Sequence, residues 1–158
     1  MNEPVTNVLF AGIGGQGIIK ASDMLTEAAF RMGCDVKKSE LHGMSQRGGS
    51  VSSDVRFGKK VYSPMIPRGE ADYLIAVSED QIEVCAGTLR KNAVIIRPSD
   101  IDPADASSRM LNIAMLGRLN RSLKFPETLW VEIIRESFPA EIAEENIAAF
   151  RRAAGGKE

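Results

Sequence analysis

The sequence has little of what most redox and metal chemistry needs. Among 158 residues there are two cysteines, one histidine, one tryptophan and two tyrosines. Cys34 and Cys85 are far apart and set among apolar residues, so they read as buried free thiols in a reducing cytoplasm. With His42 they are too few to ligate a four-cysteine iron–sulfur cluster, and a structural zinc site is not expected. The formal net charge of −1 supplies no global field for nucleic acid or an anionic membrane. No apolar run approaches a membrane span. Met1-Asn2-Glu3-Pro4 lacks the basic start and apolar centre of a signal peptide.

What is present is 14 glycines, two groups of which sit where chemistry is expected. Val5–Ala11 is a nearly continuous apolar run and predicts a strand buried on both faces. Gly12-Ile13-Gly14-Gly15-Gln16-Gly17 follows it. Ile18, Ala21, Leu25, Ala28 and Met32 then recur at helical spacing and predict the inner stripe of a helix over Gly17–Met32, stopped by Gly33. Strand, glycine turn and helix in that order resemble the dinucleotide fingerprint. In that reading Gly12 makes the turn, Gly14 admits a pyrophosphate and Gly17 lets the helix approach the strand. Glu40, at the end of the next strand candidate (Val36–Leu41), would hold a ribose. The other reading is that the glycines serve only close packing and a tight crossover. The Gln16 amide can bond a neighbouring loop or a partner as well as a ligand.

The second glycine group lies in Ser39-Glu40-Leu41-His42-Gly43-Met44-Ser45-Gln46-Arg47-Gly48-Gly49-Ser50. Arg47 stands before a glycine pair, where its guanidinium is clear of neighbours and suited to a carboxylate or phosphate. His42 could exchange a proton near neutral pH, although a hydrogen-bonded structural role is the simpler account of it. Glu40, Ser45, Gln46, Arg47, Gly48 and Gly49 are taken as an active-site or interface loop. Gly12, Gly14, Gly15, Gln16 and Gly17 are taken as the cofactor-side platform.

Val51–Phe57 alternates and predicts an antiparallel or edge strand with one wet side, Val51, Ser53, Val55 and Phe57 facing inward. Val61–Ser63 is a candidate return strand. Ala71–Val77 and Ala93–Ile96 read as further doubly buried strands around a helix over Gln81–Leu89. Helices follow at Asn112–Leu119, Glu127–Phe138 (inner face Leu129, Trp130, Ile133 and Ile134, with Pro126 at its start) and Glu141–Ala153. The expectation is one α/β domain over 1–158, Rossmann-like, with a largely parallel sheet flanked by helices and an added β-hairpin at 51–63. Both glycine segments follow strands and should open on the carboxyl edge, where such folds bind ligands.

GIGGQG after the first strand, paired with SELHGMSQRGGSVSSDVRFG, resembles the gamma subunit or gamma domain of the 2-oxoacid:ferredoxin oxidoreductases, and most of all the small subunit of the indolepyruvate enzymes. ADYLIAVS, NAVIIRP and NIAMLGRLN extend the likeness along the chain, which is short for that subunit. The resemblance implies oxidative decarboxylation of a 2-oxoacid, here an aryl pyruvate. Thiamine diphosphate with magnesium, iron–sulfur clusters, coenzyme A and ferredoxin take part. This chain has no Gly-Asp-Gly thiamine motif and no cluster cysteines, so these cofactors belong to a larger partner subunit and none is expected on this chain alone. By that resemblance Arg47 contacts an anion, either the 2-oxoacid carboxylate or a coenzyme A phosphate. The competing readings are a stand-alone Rossmann-type nucleotide-binding protein and a structural interaction protein that pairs with itself as a homodimer.

Overall fold

A computed structural model describes residues 4–42 and 49–155. The chain divides into two compact units, Met1–Arg97 and Pro98–Glu158.

The first unit is built on a five-stranded sheet. Its strands are β1 (Val5–Ile13), β2 (Asp35–His42), β3 (Ser50–Gly58), β4 (Ala71–Ala76) and β5 (Leu89–Ile96). They lie in the order β2-β3-β1-β4-β5. β1–β4 and β4–β5 pair in parallel, whereas β3 is antiparallel to both β1 and β2. Four strands therefore share one direction and β3 alone opposes them, in agreement with a largely parallel sheet. Helix α1 (Ile18–Arg31) packs against β1, β2 and β3, and α2 (Gln81–Cys85) against β1 and β4.

The pleat sorts β1 into two cores. Leu9 and Ala11 join Ile66, Leu74, Ala76 and Cys85 in one apolar cluster. Gly12 faces α1, since a Cβ there would meet Ile18, and Val8 and Phe10 share its parity. On α1, Ile18, Ala21, Met24, Leu25 and Ala28 are buried. Met32, expected in this stripe, is 43% exposed because the helix ends at Arg31.

The added hairpin exists, but it is β2–β3 rather than 51–63. Val51, Ser53, Val55 and Phe57 do face inward, yet β3 is an interior strand and β2 is the edge. Val61–Ser63 forms no strand. Instead the segment after β3 lies over its outward side. Ile66 N–H donates to Asp54 (2.9 Å), and Arg56 donates to the carbonyls of Ser63 (2.8 Å) and Met65 (3.2 Å). Val61 N–H donates to Asp35 (2.8 Å). The helix expected over Gln81–Leu89 stops at Cys85. A 3₁₀ turn over Ala86–Thr88 follows, and β5 begins at Leu89. β5 is the other edge of the sheet, not a doubly buried strand, and Val94 is 42% exposed. Lysine and arginine mark both edges (Lys37 and Lys38 on β2, Arg90 and Lys91 on β5), a common guard against stray strand pairing.

The second unit is helical: α3 (Pro103–Ala106), α4 (Leu111–Leu123), α5 (Glu127–Ser137) and α6 (Ala140–Gly155). Asp102 caps α3 by accepting the Ala104 N–H at 2.9 Å. Pro126 is the N-cap of α5, one position earlier than a proline's preferred first helical place. Trp130 is fully buried between Phe125 and Phe150, with ring centroids 6.4 and 5.2 Å away. Leu129, expected inside with it, is only partly buried, and Val131 takes an inner place. Gly117 lets α4 approach the Phe150 carbonyl of α6 so closely that a Cβ would overlap it. No helix among the described residues is long and apolar enough to cross a membrane.

Candidate functional site

The turn after β1 is fixed from within. Gln16 N–H donates to the Ile13 carbonyl (3.1 Å), and Ile13 N–H donates to Gln16 Oε1 (2.7 Å). The chain can reverse here because Gly15 and Gly17 sit at φ of 92° and 79°. Gly17 is the N-cap of α1, with no side-chain cap on the helix and no acidic residue in its first turn. The partial positive end of α1 thus carries no internal countercharge from capping or first-turn carboxylates.

Gly12 and Gly14 are glycines for different reasons. A Cβ on Gly12 would stand 2.6 Å from Ile18 Cδ1 and 2.7 Å from Gln16 Oε1. A Cβ on Gly14 would find only Gly49 O at 3.7 Å and Val51 Cγ2 at 3.9 Å, ordinary contact distances. Among the described residues a methyl on Gly12 would push aside the side-chain ends of Ile18 and Gln16, whereas one on Gly14 would displace nothing.

Gly43, Met44, Ser45, Gln46, Arg47 and Gly48 lie outside the described residues. The ends of that loop are described. Gly14 N–H donates to the Gly49 carbonyl at 2.9 Å, and His42 closes β2 opposite Val51. Gly49 and His42 therefore reach the rim formed by the Gly12–Gly17 turn. A cavity of about 300 Å³ opens there, lined by Gly14, Gly15, Ile18, Lys20, His42 and Val51 among others. Its walls are mostly apolar, and Lys20 brings a cation in the first turn of α1. Sequence reasoning missed Lys20 and Val51, although a lysine three residues beyond Gly17 is a visible signal. Gln16 is not in the cavity wall.

Glu40 is engaged elsewhere. It accepts a hydrogen bond from Lys38, which holds its carboxyl below the usual range, and His42 Nε2 lies 3.9 Å away. Burial of the Lys38 stem alone would lower that amine. Its bonds to Asp23 (2.7 Å) and Glu40 outweigh this, and the net effect raises it. β3 also lies between Glu40's strand and β1, a displacement of two strand spacings, roughly 10 Å. The carboxylate that would hold a ribose is thus paired with a lysine and set away from the turn.

Three comparisons bear on this site. The family described as pyruvate ferredoxin/flavodoxin oxidoreductase matches residues 7–107, a span that includes both glycine segments. The chain belongs to that family. Indolepyruvate oxidoreductase subunit IorB of Thermococcus kodakarensis is 36% identical over 118 residues, covering 73% of this chain and 57% of the relative. The common gamma subunit of the pyruvate/ketoisovalerate oxidoreductases of Pyrococcus furiosus is 27% identical over 173 residues, covering 92% of this chain and 94% of the relative. This chain spans about half the length of the indolepyruvate-type relatives it matches. In fold it is similar to the 2-oxoglutarate:ferredoxin oxidoreductase of Magnetococcus marinus. The TM-score is 0.79 at 20% identity, over all of this chain and 32% of that one.

Among the described residues no group of three or more His, Cys, Asp or Glu is placed to hold a metal. Both thiols are free; Cys85 is buried, whereas Cys34, expected to be buried, is only partly so, and burial pushes each thiol up.

Proposed function

We propose that this chain is the gamma-type component of a 2-oxoacid:ferredoxin oxidoreductase of the indolepyruvate class, acting in the cytoplasm as one domain over 1–158. It works with a larger subunit that carries thiamine diphosphate, magnesium and the iron–sulfur clusters and passes electrons to ferredoxin. The observation that carries the reading is the family match across both glycine segments. The names of the relatives agree with it.

In this reading the rim receives an anionic group, a coenzyme A phosphate or the 2-oxoacid carboxylate. Arg47 is the principal contact, with the Gly12–Gly17 turn as a backbone platform beside it. The Magnetococcus enzyme was solved with 2-oxoglutarate, coenzyme A and succinyl-CoA bound. The uncapped start of α1 and Lys20 supply the matching sign of potential. The stand-alone nucleotide-binding reading loses support, because Glu40 is paired with Lys38 and the Ile13 N–H is held by Gln16.

The test is co-expression with the thiamine-binding subunit. The two should co-purify, and oxidation of an aryl pyruvate should require both chains together with coenzyme A and an electron acceptor. Full turnover by the large subunit alone would end the proposal.

A further inference from the structure

The glycine turn has two flanks, and they are not alike. Along a strand, successive backbone groups point to alternate neighbours. The Ala11 carbonyl faces β4, where it accepts the Val77 N–H at 2.9 Å, and Gly14 faces β3, where it donates to Gly49. The Ile13 N–H is therefore the next donor on the β4 side. β4 itself ends at Ala76. Gln16 Oε1 stands in that place at 2.7 Å, as a side-chain substitute for the missing rung. At the carboxyl ends of β1 and β4, the flank where open α/β sheets take a nucleotide, this donor is thus already engaged by the chain's own amide. The opposite flank, bordered by Val51 and His42, holds the cavity.

We infer that Gln16 is a positioning residue that closes the β1–β4 flank of the turn and directs an anionic ligand to the β3 flank. Gly12 is its counterpart, because a Cβ there would stand 2.7 Å from Gln16 Oε1 and push it from its place. Gln16 acts through Ile13 and Gly14, which line the cavity that it does not itself touch. The part concerning the ligand rests on the proposed anion-binding role of the rim; the clamp itself does not.

Amide exchange and coenzyme A titration, followed residue by residue in spectra of the full chain, test both parts. Gln16→Ala should speed exchange at the Ile13 amide about tenfold or more, as expected for one lost hydrogen bond. Gln16→Glu, whose carboxylate can still accept, should restore protection. Gly12→Ala should reproduce the loss and add nothing at that amide when combined with Gln16→Ala. Coenzyme A should shift the signals of Lys20, His42 and Val51, and leave those of Val77 and Ser78 in place. Unchanged Ile13 exchange in Gln16→Ala overturns the clamp. Shifts at Val77 and Ser78 instead of the β3 flank overturn the steering. Should coenzyme A shift nothing in the wild type, the anion-binding reading fails and the steering with it, while Ile13 exchange still decides the clamp.

Discussion

The glycine rim of the first unit and the acidic pocket of the second are both concave and similar in size, yet they are built on opposite plans. The pocket in the second unit, about 270 Å³, is lined by Asp100, Asp102, Asp105, Arg121 and Arg152 among others. Its main charges are paired at home. Arg152 donates to both oxygens of Asp105, at 2.9 and 2.7 Å, and Arg121 donates to the Ala153 carbonyl at the end of α6. The described part of the rim has an uncapped helix start and, in Gly14, a glycine whose described neighbours leave room for a Cβ. A polar cavity whose groups satisfy each other holds a fold together. A rim that sets a helix start with no capping side chain and no first-turn carboxylate beside a mostly apolar cavity has capacity for something else.

The largest expected effect breaks the self-paired pocket. Asp105 is 2% exposed, so Arg152→Ala strands a buried carboxylate. The cost should be about 3 kcal/mol, the lower end for a broken buried pair because Arg152 is half exposed. Urea unfolding measures it, and a loss near zero would make the pocket no more than a surface ion pair. Next comes the pair of glycines. Gly12→Ala should cost about 1 kcal/mol, the low end for overpacking, because the ends of the Ile18 and Gln16 side chains can move aside. Gly14→Ala should be neutral or stabilising by up to about 1 kcal/mol, since its φ and its surroundings both admit a methyl. Equal losses in thermal melts of the two variants would remove the distinction on which the rim's openness rests.

The smallest effect is one of pH. Burial raises the carboxyl of Asp54, against the opposing pull of the Ile66 N–H and Arg56. A raised carboxylate contributes stability that is complete below its unfolded pKa and lost as pH rises through the folded one. Asn can still accept from Ile66. Asp54→Asn should therefore gain on the wild type as pH rises above about 3.9, the ordinary value of an unfolded aspartate. Parallel stability curves across that range would show that burial does not act on this group.

Much of the fold was legible because β1, α1 and β4 carry long, one-period patterns. Two strands misled for physical reasons. Alternation in Val51–Phe57 reads as one wet face, but Asp54 and Arg56 are covered by segment 61–66, whose backbone groups bond to them, and the polarity of the strand's own residues does not reveal that cover. The apolar run at Ala93–Ile96 reads as doubly buried, yet it lies at the sheet's edge, where neighbour order and not composition sets exposure. At the site, the two glycine segments announced themselves by spacing. The engagement of Gln16 with Ile13 could not be read that way, because a sequence does not say which group a side-chain amide faces.

Arg47→Ala in the reconstituted two-subunit enzyme decides whether the rim receives an anion. Loss of one charge-assisted contact should cost about 1.5–3 kcal/mol of binding. That would raise the KM for coenzyme A or the 2-oxoacid roughly tenfold or more, with assembly and melting temperature intact. Unchanged kinetics in a fully assembled complex would contradict the account.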